Sequence, residues 1–282
     1  MKTVGELINS KGLAKISMIT CYDYSTAKII KDTQVDIVLV GDSLGMVVYG
    51  YSSTLQVEME QMVFHTEAVY RGLEGQKLLV SDLPFLSYQA STRDAVLNAG
   101  RLLKAGANIV KLEGGKRVID KVKAIVDADI PVMGHLGLTP QSINLTGGYK
   151  LQAKDEESIE KLFEDAFALQ NEGVVALVLE LVPEEVAKKL TEELRIPTIG
   201  IGSGRFCDGQ VLVINDMLGM FKDFSPKHTK KYSNLSEVIF SSVSEYVNDV
   251  RNGTFPGEEN VFHLKKEIDF ERMLKGKKFY KL

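Results

Sequence analysis

The 282-residue chain is poor in the residues that build disulfide scaffolds and soft-metal centres: it has two cysteines and four histidines. Cys21 and Cys207 cannot form a disulfide framework, and neither belongs to a Cys-x-x-Cys pair, so a reducing compartment is expected. Charge of one sign is not in excess either. With 34 Lys and Arg against 38 Asp and Glu, the formal net charge of -4 offers no electrostatic reason to expect nucleic acid. No apolar run approaches the length of a transmembrane helix. The opening "MKTVGELINSKGLAK" has no signal-like apolar stretch, and the first arginine is Arg71, which argues against an arginine-rich transit peptide. The expectation is a cytoplasmic, soluble protein with no nucleic-acid or membrane partner.

What the chain does have is a regular series of short β-branched runs closed by glycine or a polar residue. Eight are visible: "ISMIT" (16–20), "DIVLVG" (36–41), "KLLVSD" (77–82), "IVKLE" (109–113), "IPVMGH" (130–135), "VVALVLE" (174–180), "IPTIGIG" (196–202) and "VLVIND" (211–216). Between most of them lie helical patterns. "TRDAVLNAGRLLKAG" ends at Gly106, "SIEKLFEDAFALQNEG" ends at Gly173, and "VPEEVAKKLTEEL" opens with Pro183 and two glutamates. Apolar strands alternating with helices imply a parallel sheet covered on both faces, and eight units favour a single-domain (β/α)8 TIM barrel. The connection between Gly202 and Val211 is too short for a full helix. "LSEVIFSSVSEYVNDVRNG" reads as the closing helix.

The polar residues of these runs gather at their C-terminal ends: Asp42, Asp82, Glu113, His135 and Glu180. In a barrel those ends share one face, where the active sites of this fold lie. Asp42, Asp82 and Glu113 form a carboxylate trio suited to a hard divalent cation such as Mg2+. Helix caps or lysine pairing could explain any one of them, but caps belong in the loops beyond the strands. Lys111 and Glu113 stand two apart on one strand and point to the same side. Beside carboxylates, Lys111 is expected to stay protonated and bind an anion rather than act as an imine nucleophile, and a plain salt bridge is the bland alternative. Glu180 closes the most apolar run, where a raised pKa would suit a general base; a fourth metal ligand or a lysine partner is equally compatible with its spacing. His135 is either structural or a supporting site residue. "GIGSG" (200–204) offers a weak phosphate signal that a tight turn explains as well.

The strings "ITCYDY", "LVGDSLGM", "SDLPF", "VKLEGG", "GHLGLTPQS", "GGYK", "LVLELVP", "IPTIGIGSG" and "FPGEE" occur in one order from about Thr3 to His263. As an ordered set they closely resemble the ketopantoate hydroxymethyltransferase family, although "GIGSG" departs from an alanine-containing version of that loop. The resemblance implies a Mg2+-dependent barrel, here over 1–263, assembled as a homodecamer; the charged extension over 264–282 lies beyond it, looks longer than in many members and carries no motif of the family. It implies transfer of a one-carbon unit from 5,10-methylenetetrahydrofolate to 3-methyl-2-oxobutanoate, giving 2-dehydropantoate. The implied metal ligands are Asp42, Asp82 and Glu113; Asp42, Ser43, Asp82 and Lys111 would contact the oxoacid; Glu180 would accept the proton. On this reading Gly41 and Gly45 let the backbone approach the ligand closely. The rivals are a C–C lyase of the phosphoenolpyruvate mutase and isocitrate lyase type, a metal-free imine aldolase using Lys111, and a non-enzymatic barrel. The lyases rely on a Lys-Lys-Cys-Gly-His string that is missing here.

Overall fold

Strands that are apolar on both faces can be satisfied only between two layers of apolar side chains. In the computed structural model, which describes residues 1–221 and 226–277, the eight runs meet that demand by closing on themselves. β1 (Ile16–Thr20), β2 (Ile37–Val40), β3 (Leu78–Asp82), β4 (Ile109–Glu113), β5 (Val132–Gly137), β6 (Ala176–Glu180), β7 (Thr198–Ile201) and β8 (Gly209–Leu212) form a closed parallel barrel in chain order. β8 pairs with β1 to complete the ring, with Ile16 opposite Gly209 and Met18 opposite Val211.

Alternation along each strand separates two cores. Residues such as Met18, Leu39, Val80, Met133 and Val178 form one buried cluster inside the barrel. Their neighbours in sequence, including Ile19, Val38, Leu79, Val132 and Leu177, join the cluster beneath the surrounding helices. The helix Thr92–Lys104 shows how the outer layer is specified: Ser91 caps it by accepting from the Asp94 backbone N–H at 3.0 Å, and Ala95, Ala99 and Leu102 make its buried face. The helix Glu156–Asn171 repeats the pattern, with Asp155 as cap and Leu162, Ala166 and Leu169 buried. Pro183 precedes the helix Glu184–Glu193, as its fixed φ favours.

One run is displaced from its expected place. The eighth strand begins at Gly209, not Val211, and the "IND" of the expected run starts the short helix Ile214–Met217. The cause is local. A side chain at Gly209 would put its Cβ 2.6 Å from the Ile16 carbonyl oxygen, so only glycine lets β8 close on β1 here. The chain then turns out of the sheet, where the Ile214 N–H donates to Thr20 Oγ1 at 2.9 Å. β5, conversely, runs past His135 to Gly137. No helix lies between β7 and β8, in accord with their short connection.

The contacts divide the chain into a unit spanning Met1–Ser233 and a second spanning Asn234–Leu282. The second holds the helix Leu235–Asn252, none of whose residues is buried, and the short helix Phe270–Leu274. The charged segment 264–282 falls in this unit, and residues 278–282 lie outside the described residues. No helix among the described residues is long and apolar enough to cross a membrane.

The N-terminal ends of the strands are closed by the first helix, Val4–Asn9, whose Leu7 joins the inner cluster. Asp208 secures this end. Its Oδ2 accepts from the Thr198 N–H (2.8 Å) and from Lys11 Nζ (2.8 Å), and its Oδ1 accepts from the Gly12 N–H at 3.3 Å. Replacing a buried, multiply bonded carboxylate leaves donors and a lysine without a partner. Asp208→Ala is therefore expected to lower stability by about 2–3 kcal/mol in chemical denaturation. A loss below about 0.5 kcal/mol, the size of an ordinary surface change, would show that the cluster is not a clamp.

Candidate active site

The inward-facing positions of the barrel change character along their length. Val80 is followed two residues later by Asp82, Ile109 by Lys111 and then Glu113, Met133 by His135, and Val178 by Glu180. Because side chains alternate, each polar residue continues the stripe of an apolar one and projects into the barrel mouth. The register aligns them around the ring: Asp82 stands opposite Lys111, Glu113 opposite His135, and Gly137 opposite Glu180. Asp42, Asp82, Lys111, Glu113 and His135 are all buried.

Lys111 Nζ lies 2.9 Å from Asp82 Oδ1, an ion pair that lacks the direction of a full hydrogen bond. Burial alone would favour loss of the Lys111 proton, but the carboxylates of Asp82, Glu113 and Asp42 outweigh it and raise the ammonium above the usual lysine value. Asp82 Oδ2 accepts from the Asp42 backbone N–H at 3.1 Å, so the loop after β2 is tied to the end of β3. Gly41 leaves room for the Ser43 hydroxyl, since a Cβ there would come 2.8 Å from Ser43 Oγ, while its 3.6 Å to Asp82 Oδ2 would be an ordinary contact. Gly45 serves a different purpose from the one expected: a Cβ would strike Val57 at 2.6 Å, so it makes room for packing, not for a ligand. Ser43 Oγ pairs with Tyr22 Oη at 2.8 Å.

His135 bridges two acids, with Nδ1 3.5 Å from Glu113 Oε1 and Nε2 3.3 Å from Glu180 Oε2. Burial and the Lys111 charge oppose its protonation, yet the flanking carboxylates raise it to about 9, so an imidazolium sits between them near neutral pH. Glu180 is less enclosed than the others, its side chain 15% exposed. His65 has no such setting: Nδ1 meets the Tyr22 carbonyl and Nε2 meets Tyr49 Oη at 2.9 Å, a structural role in a helix. The "GIGSG" turn also spends its polar group internally, since Ser203 Oγ donates to the Leu179 carbonyl at 2.7 Å and accepts from the Val182 N–H at 3.1 Å.

Two residues of the site carried no signal in the sequence reading. Gln141, in the 3-10 turn Pro140–Ser142 after β5, donates from Nε2 to Asp42 Oδ2 and from its backbone to Glu113 Oε2, each at 2.9 Å. Tyr88, from the loop after β3, donates to Gln141 Oε1 or the Glu113 carbonyl, both at 2.9 Å. Neither stands at a strand end or in a spaced pattern; Gln141 falls within the string "GHLGLTPQS", while Tyr88 falls in none of the family strings.

Among the described residues no group of three or more His, Cys, Asp or Glu side chains is arranged so that it could hold a metal ion as it stands. Asp42, Asp82 and Glu113 nevertheless fit a divalent ion by their chemistry. Burial and then the charges of Asp82 and Glu113 push Asp42 well above the usual carboxylate range, and burial raises Asp82 against the pull of Lys111. Glu113 Oε1 is buried without a hydrogen-bond partner. A hard cation among oxygen donors would relieve all three conditions.

Comparison with known proteins decides the affiliation. The family model for ketopantoate hydroxymethyltransferase matches residues 1–258. The chain belongs to the ketopantoate hydroxymethyltransferase family. Its relatives include 3-methyl-2-oxobutanoate hydroxymethyltransferases of Clostridium novyi, 54% identical over 90% of this chain and 92% of that protein. That of Acetivibrio thermocellus is 54% identical over 93% of each. Similar solved structures include a phosphonopyruvate hydrolase complex with oxalate and Mg++ (TM-score 0.61, 10% identity, 92% of this chain and 93% of that one). Another is 2,3-dimethylmalate lyase, of the PEP mutase/isocitrate lyase superfamily (TM-score 0.57, 13% identity, 97% and 94%). At such identity these show the barrel fold alone. The lyase rival is not favoured: the family match lies elsewhere, and Cys21, just past β1, is fully buried with its thiol pushed up to about 12 by burial.

For this member of the ketopantoate hydroxymethyltransferase family, the charged state of Lys111 yields a direct test against imine chemistry. Borohydride added with 3-methyl-2-oxobutanoate is expected to leave the intact mass of the protein unchanged. A reduced adduct mapped to Lys111 would make that residue a nucleophile.

Proposed function

We propose that the chain transfers a hydroxymethyl group from 5,10-methylenetetrahydrofolate to 3-methyl-2-oxobutanoate, giving 2-dehydropantoate and tetrahydrofolate, the first committed step of pantothenate biosynthesis. Overall the transfer consumes one water, whose oxygen becomes the new hydroxyl. The observation that carries this reading is the set of buried acids and one lysine at neighbouring strand ends, in a chain whose relatives bear that transferase name. Family resemblance supports assembly as a homodecamer and action in the cytoplasm.

The substrate is an α-keto acid whose C3 proton must leave before a carbon–carbon bond can form. Lys111, protonated beside Asp82, offsets the negative charge of the oxoacid. Ser43, its hydroxyl already paired with Tyr22, presents a donor to the substrate carboxylate. Asp42, Asp82 and Glu113 would hold a Mg2+ ion, which would supply Lewis-acid stabilisation of charge on the keto oxygen. Glu180 takes the C3 proton on its carboxylate: it is the acid of the mouth most open to a ligand, with one oxygen 3.3 Å from His135 Nε2. C3 then bonds to the methylene carbon of the donor as both bonds from that carbon to folate nitrogen break; the C3 proton and one proton of the water go to those nitrogens, and the remaining hydroxyl of the water stays on the carbon.

Two outcomes follow from these roles. Glu180→Gln is expected to bind the oxoacid with Mg2+ yet slow exchange of the C3 hydrogen with deuterated water by about 10²–10⁴-fold, followed by NMR. Exchange at the wild-type rate removes Glu180 from the role of base. Asp82→Asn is expected to weaken metal and oxoacid binding together in calorimetric titrations. Metal affinity equal to wild type would take Asp82 out of the ligand set.

A further inference from the structure

The three carboxylates share a pattern that the metal reading alone does not require. In each, one oxygen is held by an N–H group of the protein. Asp82 Oδ2 is held by the Asp42 backbone (3.1 Å), Asp42 Oδ2 by Gln141 Nε2 (2.9 Å), and Glu113 Oε2 by the Gln141 backbone (2.9 Å). One residue, Gln141, thus serves two of the three acids, which come from different strands. We propose that Gln141 is a positioning residue that fixes Asp42 and Glu113 so that each turns its other oxygen toward a divalent cation. This rests on the assignment of Asp42, Asp82 and Glu113 as the metal site.

The amide of Gln141 is over-determined. Its two N–H bonds go to Asp42 Oδ2 and the Leu83 carbonyl, both at 2.9 Å; its Oε1 accepts from Gln89 Nε2 at 3.0 Å and lies 2.9 Å from Tyr88 Oη, which can give its one hydrogen to Oε1 or to the Glu113 carbonyl. An amide has two donors, so both are used, and its oxygen has at least one partner. A flipped amide would aim its oxygen at the Asp42 carboxylate and the Leu83 carbonyl, which fixes the orientation. The side chain is buried, 6% exposed, so it cannot trade these bonds for water. Being neutral, it directs the carboxylates without supplying a positive charge that would compete with the ion, as a lysine or arginine at this place would. Glu113 shows the consequence: with Oε2 engaged, Oε1 is buried and accepts no hydrogen bond, with His135 Nδ1 3.5 Å away.

The test measures metal binding without turnover. Full-length, metal-free protein is titrated with Mn2+, followed by electron paramagnetic resonance, for the wild type, Gln141→Met and Tyr88→Phe. Methionine keeps the length of the side chain but removes both amide donors; phenylalanine removes the hydroxyl that holds Oε1. Gln141→Met is expected to raise the Mn2+ dissociation constant by about 10–100-fold, the usual cost of losing a partner that orients a metal ligand. Tyr88→Phe is expected to raise it by less, and it carries the test should Gln141→Met fail to fold. A lower melting temperature with wild-type Mn2+ affinity in both variants would reduce Gln141 to loop packing and overturn the inference, leaving the metal site intact. Wild-type protein that binds no Mn2+, with or without 3-methyl-2-oxobutanoate, would overturn the metal site and this inference with it.

Discussion

The structure depends on keeping several negative charges together in a place that water barely reaches. Carboxylates repel one another and resist burial, and the rise in the Asp42 and Asp82 pKa values expresses that cost. One internal cation, Lys111, answers part of it by lying 2.9 Å from Asp82. The protonated His135 answers another part between Glu113 and Glu180. Two cationic side chains thus face four acids, Asp42, Asp82, Glu113 and Glu180, and on the proposed reading a divalent ion would offset the acidity that remains.

The barrel makes such crowding sustainable. Below the mouth the same inward stripes are apolar, so the folding energy comes from residues such as Met18, Leu39 and Val178 and from the outer layer packed under the helices. The polar ends are then held by backbone that cannot easily move, because each strand is paired on both sides. At the opposite end the first helix and Asp208 close the ring. Stability and chemistry are thus separated along the barrel axis, as is usual for this fold.

The division also explains why distant relatives in fold can differ in reaction. Structures such as phosphonopyruvate hydrolase share the barrel at 10% identity, which leaves the loop residues free to vary. Here Gln141, Tyr88 and Tyr22 come from loops after β5, β3 and β1: Gln141 donates to Asp42, Tyr88 bonds Gln141, and Tyr22 bonds Ser43. A scaffold of strand ends supplies the acids, and the loops decide what those acids can hold.

The amino-acid sequence by itself determined the strands, the helices between them, the barrel, and the strand-end acids, because period-two and helical patterns are local and the C-terminal ends of barrel strands share one face. It also carried the family, through an ordered set of strings. Tertiary structure alone decided that β8 starts at Gly209, that Gly45 serves Val57, and that Gln141 joins Asp42 to Glu113. These are contacts between segments far apart in the chain, in one case 99 residues, and no spacing rule encodes which loop meets which. The protonation of His135 belongs with them, since it comes from a balance of burial against two acids that only the folded ring brings within reach.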